Sequence, residues 1–401
     1  SSLSMSAKVR RGADGVWWCR LYLGRDAAGK AIRPYKRFPK ATTGEEAQAL
    51  ADTWAAHVTA DGTVRSARLT DLLLDYVQMR ERNGASPNSV RSYRLFTRYV
   101  ARYLRTADAR DLGVMDFNRF EQRLLTAKER GGQGLCRNSV INVHNFLRGA
   151  YNHFVDAGVC DANPLVYVAK PSPERHEASA LTEWDFEEFN ARLEGALGEE
   201  ARTPVDYREA VYAFASWLSL VTGMRVGEVC AVRRVDVRSA QLCVHVGGTV
   251  IEERGRKPYR RDVTKGRKSR NIAITVGDMK TIDAFLATQS RFLGRLGRGA
   301  ALVSMDGGFC RPTAISRAFG RIRESCGLPR EITFHSLRHT HASWLIANGC
   351  DLKTLSERMG HADEATTLRI YGHLMPGRDA AAAQLFDEAK RRAAGREVCQ
   401  T

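Results

Sequence analysis

Apolar residues recur along this chain in two rhythms. Val16-Trp-Trp-Cys-Arg-Leu-Tyr-Leu-Gly24 alternates and is rich in aromatics, and Asp26-Ala-Ala-Gly-Lys30 reads as a turn before Ile32–Phe38. Thr42 or Thr43 can cap a helix over Gly44–His57, with Glu45 and Glu46 in its first turn, where carboxylates favour the helix dipole. Residues 1–62 therefore predict a small β-sheet backed by one helix. Between residues 66 and 170 the period becomes helical. Leu72, Leu73, Tyr76 and Val77 share one face of Leu69–Arg82, and Ser86 with Pro87 opens the next helix. Further helices are predicted over Val114–Lys128 and Asn138–Ala157.

Two prolines within three residues, Pro171 and Pro173, mark a linker over 171–180. Helical patterning resumes at Leu181, broken by a β-rich island at Gln241–Ile274, and an Ala-rich helix covers Asp379–Ala394. The expected architecture is multidomain and mainly α. It comprises a β-sheet-plus-helix domain (1–62), a helical domain (66–170), a mixed, mainly helical domain with a small sheet (181–376), and a helical tail (377–401).

Charge narrows the class. Lys and Arg number 62 against 45 Asp and Glu, a formal charge of +17 over 401 residues. Such an excess points to a polyanion partner, nucleic acid before acidic lipid. Apolar runs such as Val211–Val221 fall short of the ~18–20 residues a membrane span needs, so no membrane is expected. The nine cysteines are odd in number and include no CxxC pair, which favours reduced thiols and a cytoplasmic, nucleoid-associated location.

The positive charge is patterned. Arg91, Arg94, Arg98 and Arg102, spaced by 3, 4 and 4, share a helix face with no acid four positions on, as a phosphate-tracking surface would. The strip Arg254–Arg270 holds nine Lys/Arg (Arg254, Arg256, Lys257, Arg260, Arg261, Lys265, Arg267, Lys268 and Arg270) against Asp262 alone. All are candidate DNA contacts.

Familiar phosphate chemistries are missing. No GxxxxGK[ST], HExxH or DxDxDG occurs, and His335, His339 and His341 lack Cys or acidic companions at ligand spacing, so neither cofactor nor metal is expected. Chemistry on DNA would then rest on cations and a side-chain nucleophile. Three segments supply them: Thr222-Gly-Met-Arg225-Val-Gly-Glu228; His335-Ser-Leu-Arg338-His; and Gly360-His361 followed by Tyr371. Each is weak alone.

Their order and spacing together resemble the tyrosine recombinase (phage integrase) family, whose relatives include type IB topoisomerases. The resemblance covers residues 180–376 by motif and 66–170 by the expected core-binding domain. The basic N-terminal sheet resembles the arm-site-binding domain of lambda-type and conjugative-transposon integrases. The resemblance implies that Arg225 and Arg338 clamp the scissile phosphate, and forked guanidiniums suit that task. It implies that Tyr371 attacks phosphorus to give a 3′-phosphotyrosyl link, His335 assists proton transfer, His361 donates to a phosphate oxygen, and Glu228 orients an Arg or His. The family's catalytic lysine sits on a β-hairpin. Lys265 is the choice, with Lys268 and Lys257 as alternatives. His341 stands where many relatives are apolar, and reads as packing or a local hydrogen bond.

The implied partners are double-stranded DNA with core and arm sites, a homotetramer on DNA, and accessory DNA-bending or excision factors. The tail helix would dock on a neighbouring protomer or on its own domain. The expected function is that of a mobile-element integrase. Rivals are a Xer-like housekeeping recombinase, a type IB topoisomerase and a non-catalytic DNA-binding regulator.

Overall fold

The structure, a computed structural model, describes residues 7–174, 179–263, 269–375 and 377–397. It divides into two compact units, Ser1–Arg175 and His176–Thr401.

In the first unit, strands β1 (Arg10–Arg11), β2 (Trp17–Arg20) and β3 (Tyr35–Phe38) form an antiparallel sheet in that order. The strands are shorter than the alternating segments that predict them. Pro34 cannot donate to the ladder, so beyond Tyr35 separate bonds continue the hairpin, among them Leu21 N to Pro34 O, Leu23 N to Ile32 O and Ile32 N to Gly24 O. Asp26 Oδ1 closes the turn by accepting from the amides of Ala28 and Lys30, each at 2.9 Å. Helix α1 (Gly44–His57) begins in a capping box between Thr43 and Glu46.

Helices α2 (Leu69–Arg82), α3 (Pro87–Leu104), α4 (Val114–Leu125) and α5 (Arg137–Asp156) follow. Helix α4 stops three residues before the predicted end, because Thr126 turns extended and Lys128–Arg130 makes its own short turn. The sheet, α1 and α2–α5 share one core, which runs from Cys19, Phe38 and Trp54 to Leu73, Phe117, Tyr151 and Phe154. Each large apolar side chain so buried stabilises by roughly 1.5–3 kcal/mol relative to exposure. The boundary expected between residues 62 and 66 thus falls inside one compact unit.

The second unit is built on α7 (Pro204–Thr222), which Thr203 caps and Pro204 opens. Its sequence is apolar nearly all round, and Val211, Phe214, Ala215 and Leu218 are buried on several sides. Around it pack α6 (Glu183–Gly198), α9 (Val276–Leu293), α10 (Pro312–Ser325) and α11 (Phe334–Ala347). The short α8 (Val226–Ala231) leads to two small sheets. One joins β4 (Val237–Arg238), β5 (Cys243–Val246) and β8 (Arg270–Ala273); the other pairs β6 (Gly248–Ile251) with β7 (Tyr259–Asp262). Helices α12 (Leu352–Met359), α13 (Glu364–Tyr371) and α14 (Asp379–Glu397) complete the chain. On α14, Leu385 and Phe386 are exposed. Among the described residues no helix is long and apolar enough to cross a membrane.

Candidate active site

The arginine of the first motif is delivered by a turn. Helix α7 ends where Gly223 takes the left-handed conformation (φ +71°). A side chain there would also meet His341 Cδ2 and Met359 Sδ, each 2.8 Å from the Cβ position. Ser219 Oγ donates to Met224 O at 2.8 Å and holds the turn. Arg225 then caps α8, with its amide 3.0 Å and its Nη1 3.3 Å from the Glu228 carboxylate, while 45% of its side chain stays exposed.

Glu228 has a second partner. Arg270 of β8 approaches it in a fork, at 3.1 and 2.9 Å, with only 12% of the Arg270 side chain exposed. Burial pushes the Glu228 carboxyl up, but the hydrogen bonds and charge of Arg270, then Arg225, hold it below the usual carboxylate value. Arg270 therefore faces inward on Glu228 and does not belong with the exposed strip of DNA candidates.

The second motif lies on α11. Arg338 is 2% exposed and spans two chain segments, its Nη1 donating to Gly223 O at 2.7 Å and its Nη2 to Met359 O at 2.6 Å. Each η nitrogen keeps a second N–H. Burial, then the Arg225 charge, lowers the guanidinium to about 10, so it stays cationic at neutral pH. His335 lies on the same helix, where partial desolvation of its ring, then the charges of Arg338 and Arg225, depress its basicity.

The third motif closes over them. Gly360 ends α12 at φ +67°, where a Cβ would fall 2.5 Å from Arg270 Nη1. Next to it, His361 Nδ1 lies 2.5 Å from Thr367 Oγ1. Burial and the charges of Arg338, Arg225 and Arg270 push His361 to about 4. In the tautomer whose Nδ1 accepts from the threonine, Nε2–H is left to donate. Tyr371 ends α13 with 1% exposure, and its ring stacks beside His361 at 6.4 Å between centroids. Burial raises the phenol to about 12, against the lowering charges of Arg338 and Arg225.

The residue that touches the Tyr371 hydroxyl is one the motifs alone did not single out. His339 Nδ1 lies 2.6 Å from the Tyr371 hydroxyl, whereas His335 meets the His339 ring edge-on at 4.5 Å. The signal was present: positions 335 and 339 are four apart on a helix and share a face. The resemblance implies that His335 assists proton transfer at Tyr371; in the structure the His339 ring makes the contact with Tyr371, and His335 packs against that ring. Arg358, also unremarked, donates to Ala273 O and Val221 O and to His341.

The remaining candidates scatter. Lys265, Arg267 and Lys268 lie outside the described residues. Arg254, Arg256 and Lys257 are exposed between β6 and β7, where Arg256 pairs with Glu253 at 3.2 Å and stacks over Tyr259 at 4.4 Å. Arg260 is turned in, bonding Ala231 O and pairing with Asp262, while Arg261 is half-buried. On α3, Arg91, Arg94, Arg98 and Arg102 are all exposed. The row is not free of acid, since Arg94 pairs with Glu81 of α2 at 2.8 Å, and Arg102 bonds Gln133.

Known proteins resemble this chain in sequence and in fold. The chain is 24% identical over 278 residues to a XerC-like tyrosine recombinase of Caldanaerobacter subterraneus subsp. tengcongensis, covering 64% of this chain and 67% of that protein. The Tn1549 transposon integrase, solved with transposon right end DNA, shares the fold at a TM-score of 0.66 and 19% identity, over 80% of this chain and 100% of that one. A lambda integrase tetramer bound to a Holliday junction matches at 0.55 and 17% identity, over 94% and 97%. Residues 196–378 match the model of the phage integrase family, the segment that carries Arg225, Arg338, His361 and Tyr371. Residues 196–378 thus carry a phage integrase family domain, and the chain resembles tyrosine recombinases in sequence.

Proposed function

We propose that this protein is the integrase of a mobile element and exchanges strands of double-stranded DNA through a 3′-phosphotyrosyl intermediate and a Holliday junction. The observation that carries the reading is a buried Tyr371 hydroxyl within the field of two arginines, Arg338 and Arg225. Tyr371 Oη bonds to phosphorus as the P–O5′ bond breaks. Charge that builds on the non-bridging oxygens is met by Arg225 and by the spare N–H groups of Arg338, with a hydrogen bond from His361 Nε2. The phenol proton passes to Nδ1 of His339, whose ring His335 packs against, and Lys265 protonates the departing 5′ oxygen. The phosphotyrosyl bond retains the energy of the diester, so the free 5′-OH of a partner strand can reverse the step without ATP.

Two features favour a mobile-element integrase over a housekeeping recombinase. The N-terminal sheet carries an arginine–aromatic face: Arg10 and Arg20 lie over Trp18, and Arg20 also over Tyr35. Such a face suits binding to arm-type DNA sites. The lambda integrase likeness also extends over 94% of the chain, with a protein solved as a tetramer on a junction. A tetramer on DNA, core-site binding by α2–α5, exposed contacts from Arg91, Arg98, Arg254, Arg256 and Lys257, and accessory bending or excision factors follow from the same reading. The Xer-like reading is supported by the XerC-like relative.

The test is a suicide duplex carrying the element's junction, incubated with wild type and Tyr371→Phe and resolved on a denaturing gel. A Tyr371-dependent adduct with exchange between paired sites supports the proposal. Relaxation of a supercoiled plasmid without paired sites would favour a topoisomerase. Tight binding with no adduct would favour a regulator.

A further inference from the structure

His341 has a tautomer dictated by its neighbours. Its Nδ1 lies 2.8 Å from Leu220 O, and a carbonyl only accepts, so Nδ1 carries the proton. Its Nε2 lies 2.9 Å from Arg358 Nε, and a guanidinium only donates, so Nε2 is bare. Both contacts hold only for a neutral ring. Burial and the Arg358 charge agree, pushing the imidazole to about 4.

Arg358 uses its remaining nitrogens on backbone. Nη2 donates to Val221 O at 3.1 Å and Nη1 to Ala273 O at 3.0 Å. Leu220 and Val221 lie in the last turn of α7, where carbonyls have no amide of their own helix to accept from. Two side chains from α11 and α12 therefore cap α7 at its junction with the turn that delivers Arg225. The backbone beside Arg358 serves the same site from the other side. Its own carbonyl accepts from Arg270 Nε at 2.9 Å, and that of Met359 accepts from Arg338 Nη2.

We propose that His341 and Arg358 form a positioning pair that sets the register of α7, α11 and α12, and with it the spacing of Arg225 and Arg338. The inference rests on those two arginines holding the scissile phosphate. The pair is assigned a positioning role: the contacts named above occupy both His341 nitrogens, and Arg358 directs an N–H of each of its three nitrogens to His341, Ala273 O and Val221 O. Removing the pair leaves DNA affinity intact and displaces the clamp, and misplacement of about 1 Å in such a site can cost on the order of 10²-fold in rate.

The experiment measures single-turnover adduct formation at saturating suicide duplex, DNA affinity and thermal unfolding for the full chain. His341→Leu and Arg358→Lys are expected to slow cleavage at saturation by ~10–100-fold with affinity within ~3-fold of wild type. His341→Gln offers one donor and one acceptor on the same group, and is expected to restore the rate to within ~3-fold. Folded His341→Leu cleaving at the wild-type rate would overturn the proposal, as would a defect that vanishes at saturating DNA. Should His341→Leu not fold, Arg358→Lys decides in the same way. A wild-type protein that gives no Tyr371-dependent adduct would instead overturn the proposed chemistry on which the inference rests.

Discussion

The Nδ1 atom of His339 lies 2.6 Å from the Tyr371 hydroxyl, and with the imidazole near 4 and the phenol near 12 neither group is charged at neutral pH. The phenol therefore keeps its proton in the free protein, and under the proposed chemistry gives it up as the bond to phosphorus forms. His339→Leu should slow adduct formation by ~10–100-fold, in the range of a single acid–base contribution, while the adduct still depends on Tyr371. A single-turnover time course with Tyr371→Phe as the blank checks this. An unchanged rate would show that the contact is not used in the reaction.

Arg338 ties α11 to the ends of α7 and α12 through buried carbonyls. Arg338→Lys removes the fork and leaves at least one of those carbonyls unpaired, at about 1–3 kcal/mol per orphaned group. It should lose both stability and cleavage. Chemical denaturation and the suicide assay, run on the same preparation, read the two losses.

The basic strip should divide by orientation. Arg254→Ala with Arg256→Ala removes exposed charge, and should flatten the dependence of log K on log salt by ~0.9 for each phosphate no longer neutralised. Arg270→Ala removes the forked partner of Glu228 and leaves that carboxylate to Arg225 alone, and should destabilise the fold by ~1–3 kcal/mol. Its effect on stability should exceed its effect on the salt slope. Binding titrations at several salt concentrations, beside unfolding curves, separate the two kinds of arginine.

Acid should unfold the protein earlier than its carboxylates require. Burial holds His153, His339, His341 and His361 near 4, below the 6.5 of an exposed histidine. The unfolded chain binds these protons first, so the stability the four rings contribute is fully present above pH 6.5. It is lost as pH falls from there through 4. Thermal unfolding across pH 7 to 4 should show the decline, and His153→Leu should reduce its slope. A flat profile over that window would refute the assignment of neutral rings.

Much of the fold was legible in the residue pattern. Helices α1 and α2 begin and end where the sequence places them, and α3 and α5 start within a residue, because caps, prolines and apolar spacing act over single turns. Arg225, Glu228, Arg338, His361 and Tyr371 were also legible, since each stands in a short motif whose order along the chain is itself a signal. The strands of the first sheet are shorter than their alternation implies, because the cost of Pro34 depends on which face of the ladder its missing N–H would have joined.

The sequence by itself determined the elements and the reactive residue types, since these follow from local backbone preferences and side-chain chemistry. Tertiary structure alone decided the partners. Arg254 and Arg270 look alike in one basic run, yet the first is exposed and the second is buried on Glu228, 42 positions away. His335 and His339 are equivalent on a helix face, yet only His339 reaches Tyr371, 32 positions on. Contacts across such separations depend on how whole helices pack, which no single motif encodes.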